Sequence, residues 1–336
     1  MLHIEGSIAS LRLKQPFSIA GYRFEQQEVL RVTARDGACH ATGEATGVYY
    51  LGDTAQSMQR DLAAIDSACW RGIDRLTLQR MLPAGGLRNA LDCALWQLEA
   101  NRRQLPLHVL AKLPRTHALL TTMTVGVASP EDMALAASCY VGARAIKLKL
   151  DGSALDGERI RTVRRRCPQV RLLVDANQGW DMAHLESLLP AMLDCRVELI
   201  EQPLPVGADD DLRGYRCPIP VAADESFQQL SDLEEMTDKY QLVNIKLDKC
   251  GGLTEALQIA REAPRHGLGV MVGSMVGTSI AMAPAFVAGQ GAWIVDLDAP
   301  LFLIGDAQPA AQYGNGEIDF PVLWKQRWPE ATSGSA

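Results

Sequence analysis

The sequence predicts an α/β protein in which parallel strands close into a barrel behind a smaller α+β domain. Three observations carry that prediction. Between Ala145 and Lys249 five short apolar runs each end in charge: AIKLKLD, VRLLVDANQ, VELIEQP, IPVAADES and LVNIKLDK. Their leading charges, Lys149, Asp175, Glu201, Asp224 and Lys246, follow one another at steps of about 22 to 26 residues, close to the strand–helix unit of an eight-fold parallel barrel. From Leu120 onward strand and helix patterns alternate strictly, and eight strand-like runs can be counted up to Trp293–Leu297, which implies a parallel sheet. Finally, no G-x-G-x-x-G or G-x-x-x-x-G-K-[ST] follows the first of these strands, which weakens an open nucleotide-binding sheet as the alternative.

The elements can be justified in order. Residues 1 to about 47 read as a β meander, with strands at His3–Leu13, Glu28–Ala34 and from His40, and a turn at Asp36-Gly37. Pro16–Gln27 and Gly47–Asp53 read as loops, the first carrying Phe17, Tyr22, Arg23 and Phe24, the second paired tyrosines; loops of this kind are more often functional than idle. Thr54 is a plausible N-cap for a helix over Gln56–Trp70, and Leu87–Ala100 has apolar spacing of three and four. In the barrel, Ser129-Pro130-Glu131 reads as N-cap, Pro at the first helical position and acidic first turn. Helices are expected at about Ala154–Arg166, Ala183–Leu193, Ser231–Lys239, Leu253–Arg265 and Thr278–Ala288. Leu301–Ile304 and Glu317–Phe320 are strand-like and are expected to pack back on the N-terminal domain, with the last residues frayed.

Composition sets the class. At 336 residues the chain can bury a large core, and 47% hydrophobic with 22% charged residues is ordinary for a globular protein. A net charge of −7 argues against a nucleic-acid partner, and the basic run at Arg159–Arg166 reads as the outer face of a helix. The eight cysteines contain no C-x-x-C pair, and the six histidines are isolated, so neither residue type offers a metal site. The N-terminus alternates like a strand rather than like a signal peptide, and no apolar stretch is long enough to span a membrane. Scattered thiols without a secretion signal point to the cytoplasm.

Asp175, Glu201 and Asp224 end three consecutive strands, so their carboxylates should converge at the barrel mouth. Three oxygen ligands of this kind suit a hard divalent ion, Mg²⁺ or Mn²⁺, over Zn²⁺. Lys147 and Lys149 share a face by period-two alternation, and an ammonium inside a barrel is costly unless it is paired or works. An amphipathic edge strand would explain K-L-K-L elsewhere, but barrels have no edges. Lys149 and Lys246 should stand on opposite sides of the carboxylates, with pKa values lowered by the cation and by each other, as a general base requires. A cation holding a substrate carboxylate, with a base on each face of the adjacent carbon, spells out deprotonation and reprotonation with inversion at Cα.

KLKLD, VDANQGW, IEQPLP, ADES and NIKLDKCGG also resemble successive signatures of the enolase superfamily, in its muconate-lactonizing subgroup, over essentially the whole chain. The resemblance implies a modified TIM barrel, (β/α)₇β, at about 116–300, and an α+β capping domain at 1–115 completed by 301–330. It implies Asp175, Glu201 and Asp224 as Mg²⁺ ligands and Lys149 and Lys246 as the acid/base pair. Lys147 would lie beside the substrate carboxylate, and Glu225 and Asn177 would support the site from behind. Asp296-Leu297-Asp298 is similar to the D-x-D of dipeptide epimerases, where two carboxylates meet an α-ammonium; two solvated acids at a strand end are the structural alternative. Ser274 and Met275, in the stretch Val272–Ser279, would offer backbone groups to the peptide bond. Relatives of this kind place an arginine shortly after F-x-I of the first cap loop; this chain reads FSIAGYRF, with Gly21 near that place and Arg23 two residues on. Tyr22, Tyr49 and Tyr50 would suit an apolar or amphipathic side chain, and L-Ala-L-Glu is the default substrate. The other activities of the subgroup, N-acylamino-acid racemisation, o-succinylbenzoate synthesis and muconate cycloisomerisation, remain alternatives, as does a non-catalytic barrel. A homo-oligomer is expected, since relatives form dimers or octamers.

Overall fold

Strands β1 (His3–Ile19), β2 (Tyr22–Asp36) and β3 (Cys39–Ala45) pair antiparallel in that order. The computed structural model describes residues 2–19, 22–113 and 116–320, with the side chains of residues 17–24 outside that description. The expected loop at Pro16–Gln27 is in fact an extension of the β1–β2 hairpin: Phe17 pairs with Phe24 and Ile19 with Tyr22, beyond a register shift between Arg12 and Phe17. Aromatic and β-branched residues at these positions favour the extended chain. Leu30, Val32 and Ala34 alternate inward along β2 and are fully buried.

Three helices cover that face. Helix α1 (Ala55–Ala64) starts on Thr54, whose side chain accepts from Ser57 N. It stops short of the expected Trp70 because Asp66 accepts from Ala68 N and caps a separate turn, Ser67–Trp70. Helices α2 (Arg75–Met81) and α3 (Gly86–Arg103) follow. Gly43 of β3 lies so close to α3 that a Cβ there would meet the Ala90 carbonyl oxygen at 2.0 Å. Because that neighbour is helix backbone, Gly43→Ala is expected to cost about 1–3 kcal/mol, seen as a fall in the urea midpoint; an unchanged midpoint would show that the helix can slide.

Short helix α4 (Leu107–Leu110) leads to the barrel. The expected strand Leu120–Val127 is divided. Leu119–Leu120 (β4) leaves the barrel to join a small antiparallel sheet, while Met123–Val125 (β5) opens the barrel. Then follow α5 (Pro130–Cys139), β6 (Ala145–Lys149), α6 (Asp156–Arg166), β7 (Arg171–Asp175), α7 (Met182–Asp194) and β8 (Val197–Glu201). After β9 (Val221–Ala223) come α8 (Leu233–Met236), β10 (Leu242–Lys246), α9 (Leu247–Cys250), α10 (Leu253–Glu262), β11 (Gly269–Gly273), α11 (Ser279–Ala288) and β12 (Ile294–Val295). Ser129 caps α5 with Pro130 in its first turn, as the sequence predicts. The β8–β9 link carries only a 3-10 turn, Asp209–Leu212, and α8 is shorter than its expected Ser231–Lys239.

Strands β5 to β12 form one parallel sheet in chain order. The sheet curls until its ends meet: Thr122 N donates to Val295 O at 2.9 Å, and Leu297 N to Thr121 Oγ1 at 3.0 Å. The tail also divides. Leu303 bridges Leu13 of the cap, and Ile304 N donates to Arg12 O. Strand β14 (Glu317–Asp319), paired with β13 (Gln312–Gly314), runs beside β4 instead of the cap. Residues 321–336 lie outside the described ones. Among the described residues, no helix is long and apolar enough to cross a membrane.

Candidate active site

Ala145, Leu173, Leu199, Ala222, Leu242, Met271 and Ile294 pack together as the barrel floor, one from each of the strands β6 to β12. Two residues on from each floor residue, on the strand or just past its end, stand Lys147, Asp175, Glu201, Asp224, Asn244, Gly273 and Asp296; Lys149, Lys246, Met275 and Asp298 follow after two more. The apolar floor thus sets the register of every charged group above it. Asp175 and Glu201 are completely buried, and Asp224, Lys147, Lys149 and Lys246 nearly so. Adjacent strands place Lys149 level with Asp175, and Asp175 level with Glu201.

The ammonium groups lie among the carboxylates. Lys149 Nζ is 2.5 Å from Asp175 Oδ2, and Lys246 Nζ is 2.6 Å from Asp224 Oδ2. Lys147 Nζ reaches Glu201 Oε2 at 3.1 Å, Asp175 Oδ2 at 3.5 Å, and Asp296. Burial alone would raise the carboxyl groups of Asp175 and Asp224, but lysines hold both below the usual range: Lys149 and Lys147 for the first, Lys246 and Lys249 for the second. Glu201 behaves differently. Burial, then Asp175, pushes it up to about 8, against the pull of Lys147. Among the protein's own groups, burial pushes Lys246 down, but Asp224 and Glu201 outweigh burial and raise it well above the usual lysine range; the lowering expected beside a divalent cation concerns the metal-bound site, where Asp224 would be a ligand.

Asp296 and Asp298 fall just past β12 rather than on it, and both are buried. They are bolted across the barrel seam. Thr122 Oγ1 donates to Asp296, Thr124 N donates to Asp298 Oδ2 at 2.6 Å, and Thr124 Oγ1 lies 3.4 Å from both carboxylates. Burial and the neighbouring Asp296 push Asp298 up to about 7, so a second cation beside the pair would be welcome.

Lys147, Lys149, Asp224, Lys246, Asp296 and Asp298 share one pocket with Ser274, Met275, Phe302 and, from the cap, Gln27, Tyr49 and Tyr50. Glu225 and Asn177 also line it. Asn177 N donates to Asp175 Oδ1 at 2.9 Å, and its side-chain amide to Glu225 Oε1 at 3.3 Å. Burial, then Asp224 and Asp175, pushes Glu225 up to about 7. The side chains of Tyr22 and Arg23 lie outside the described residues.

Among the described residues, no three carboxylate, imidazole or thiolate side chains close on one point as metal ligands, because ammonium groups stand between the acids. The donor set nevertheless fits a hard cation. Three buried carboxylates each raise the others' cost of ionisation, all-oxygen ligands suit Mg²⁺, and Glu225 Oε2 and Asn177 Oδ1 are buried beside them without a hydrogen-bond partner.

Several residues of the site escape sequence reasoning. Asn244 donates to Glu201 Oε1 at 2.7 Å; its place two residues before Lys246 was the available signal. Lys249 Nζ donates to Asp224 Oδ1 at 2.7 Å. Thr122 and Thr124 carry no comparable local signal, because they act only through closure of the barrel.

Residues 131–321 match the family model described as "Enolase C-terminal domain-like". The chain is 37% identical over 308 residues to the L-Ala-D/L-Glu epimerase of Escherichia coli K12, covering 91% of this chain and 96% of that one. It is 38% identical over 254 residues to the N-acetyl-D-glutamate racemase of a Pseudoalteromonas species, covering 75% and 80% respectively. A crystal structure of an enolase family member from Agrobacterium tumefaciens with homology to dipeptide epimerases, bound to sodium and L-Ala-L-Glu, superposes with a TM-score of 0.92. That structure is 35% identical, over 96% of this chain and all of that one. Solved dipeptide epimerases complexed with Mg and a dipeptide are among its other structural neighbours. With a family model over more than half its length and such relatives along nearly all of it, the chain belongs to the enolase superfamily and is an isomerase.

Proposed function

We propose that the protein is a Mg²⁺-dependent dipeptide epimerase that inverts Cα of the C-terminal residue of an L,L-dipeptide. The observation that carries this reading is a buried pair, Asp296 and Asp298, in the same pocket as two lysines that flank a carboxylate triad. Paired buried carboxylates call for a cation, and the α-ammonium of a dipeptide supplies it.

Asp175, Glu201 and Asp224 would hold Mg²⁺, with Mn²⁺ as a substitute. When bound, the cation acts as a Lewis acid toward the substrate carboxylate and lowers the cost of an enediolate. Lys147 sits between that site and Asp296 and neutralises charge beside the substrate carboxylate. Lys149 and Lys246 are borne by β6 and β10, with β7, β8 and β9 between them, and so approach Cα from opposite faces. One takes the α-proton, and the other delivers a proton to the other side. Ser274 and Met275, past β11, face the peptide bond. Glu225 and Asn177 steady Asp175 and the rim. Burial pushes the phenols of Tyr49 and Tyr50 well above the usual tyrosine range, so this wall meets the substrate side chain as uncharged rings and hydroxyls. L-Ala-L-Glu is the default substrate, by likeness to the Escherichia coli and Agrobacterium proteins.

The similarity to an N-acetyl-D-glutamate racemase favours a second reading, racemisation of an N-acylated amino acid, in which no α-ammonium is present. The double variant Asp296→Asn/Asp298→Asn separates the two. Epimerisation of a dipeptide is expected to lose about 100-fold in kcat/KM, as when a charge-assisted contact of roughly 3 kcal/mol is removed, with N-acetylated substrates no better than before. Turnover of the dipeptide at the wild-type rate would sink the dipeptide reading.

A further inference from the structure

The cap meets the barrel through a polar latch that the reaction itself does not use. Asp248, on α9 and two residues past Lys246, is nearly fully buried. Its Oδ1 accepts from both Thr46 N and Gly47 N, each at 2.8 Å. These two amides follow β3 and begin the segment that carries Tyr49 and Tyr50 into the pocket. The same stretch is fastened to the link after β11: Thr46 Oγ1 donates to Val276 O at 2.6 Å, and Thr278 N donates to Glu44 Oε1 at 2.7 Å.

The far end of the tyrosine segment is closed as well. Asp53 N donates to Val48 O, and Asp53 Oδ2 accepts from Gly86 N at 2.8 Å. Gly47 has φ +79, and a Cβ there would meet Asp53 O at 2.5 Å, so the ends of the segment touch and the position demands glycine. Within it, Tyr49 and Tyr50 stack edge to face, with ring centroids 5.3 Å apart. Tyr50 Oη accepts from Gln228 on the barrel at 3.4 Å.

We propose that Asp248 is a positioning residue that locks the Tyr49–Tyr50 wall to the strand bearing Lys246, so that substrate side-chain selection and proton transfer belong to one rigid unit. The wall is a fixed surface rather than a lid. Asp248 touches no reacting atom; it acts through Thr46 and Gly47. Its carboxyl is pushed by burial up to about 7, against the pull of those two amides and of the Asn89 side chain, so a neutral asparagine, whose Oδ1 can accept the same two backbone bonds, is a fair replacement. Alanine is not.

The substrate readout rests on the epimerase reading, whereas the first measurement stands without it. In wild-type protein, hydrogen exchange should show the Thr46 and Gly47 amides protected like those of the neighbouring strands. Asp248→Ala should open residues 46–53 and leave the strands Val197–Glu201 and Leu242–Lys246 protected, while Asp248→Asn keeps the wild-type pattern. In turnover, Asp248→Ala should raise KM about tenfold with kcat changed less than about threefold, and flatten the preference among C-terminal side chains; Asp248→Asn should restore both. Free exchange of Thr46 and Gly47 in the wild type overturns the proposal, even if the alanine variant does not fold. So does an asparagine variant as impaired as alanine, or an alanine variant with the wild-type substrate profile. If the wild type leaves the Cα–H of every dipeptide untouched in D₂O, the epimerase reading fails while the exchange pattern still decides the latch.

Discussion

Lys246→Ala is expected to lower epimerisation by about 10³-fold or more, and Lys149→Ala to do the same, because on the proposed reading each removes the general acid or base on one face of Cα. In D₂O the two variants should differ in a telling way. Wild-type protein should exchange Cα–H of both epimers of a dipeptide, whereas each variant should still exchange one epimer, and not the same one. That outcome follows from geometry. The two lysines lie on β6 and β10, on either side of the strands that lead to Asp175, Glu201 and Asp224, so on the proposed reading each serves one face. The readout is the mass shift of substrate and product taken separately. Loss of exchange with the same epimer in both variants would show that one lysine does all the proton transfer, and undiminished epimerisation in either would remove it from the chemistry.

Removing the divalent cation should be nearly as severe. Chelation is expected to abolish turnover and added Mg²⁺ to restore it. Glu201→Gln should weaken Mg²⁺ binding, measured by calorimetry, by at least about 100-fold, since even partners behind a ligand are worth 10- to 100-fold. The physical reason is already visible in the carboxyl groups. Burial, then the neighbouring Asp175, pushes Glu201 up to about 8; the pair is stable as two anions only with more positive charge than Lys147 and Lys149 supply. Turnover that survives exhaustive chelation would contradict the assignment of these acids to a metal, whatever the lysine variants show.

Legibility in the sequence followed physical locality. Asp175, Glu201, Asp224, Lys149 and Lys246 could be read because each ends an apolar run, and a charge in that position inside a barrel demands an explanation. Asn244 obeys the same alternation but carries no charge to draw attention. The sequence reads as a loop over Pro16–Gln27, whereas Phe17 pairs with Phe24 and Ile19 with Tyr22, because strand pairing is a contact between segments and local composition does not show it. Among the protein's own groups, Lys246 pairs with Asp224 at 2.6 Å and is held well above the usual lysine range, through a distance no sequence pattern contains.

Strand period, the apolar floor and the order of charges along the chain were therefore determined by sequence, since side chains two residues apart share a face whatever the rest of the molecule does. Tertiary structure alone decided what meets across closure. Thr122 and Thr124 reach Asp296 and Asp298 because the first and last barrel strands come together, and Asp248 reaches Thr46 and Gly47 because the cap docks on the strand ends. Such contacts join segments more than 170 positions apart, so they leave no periodic trace; they exist only once burial of the floor and of the cap face has brought the segments into register.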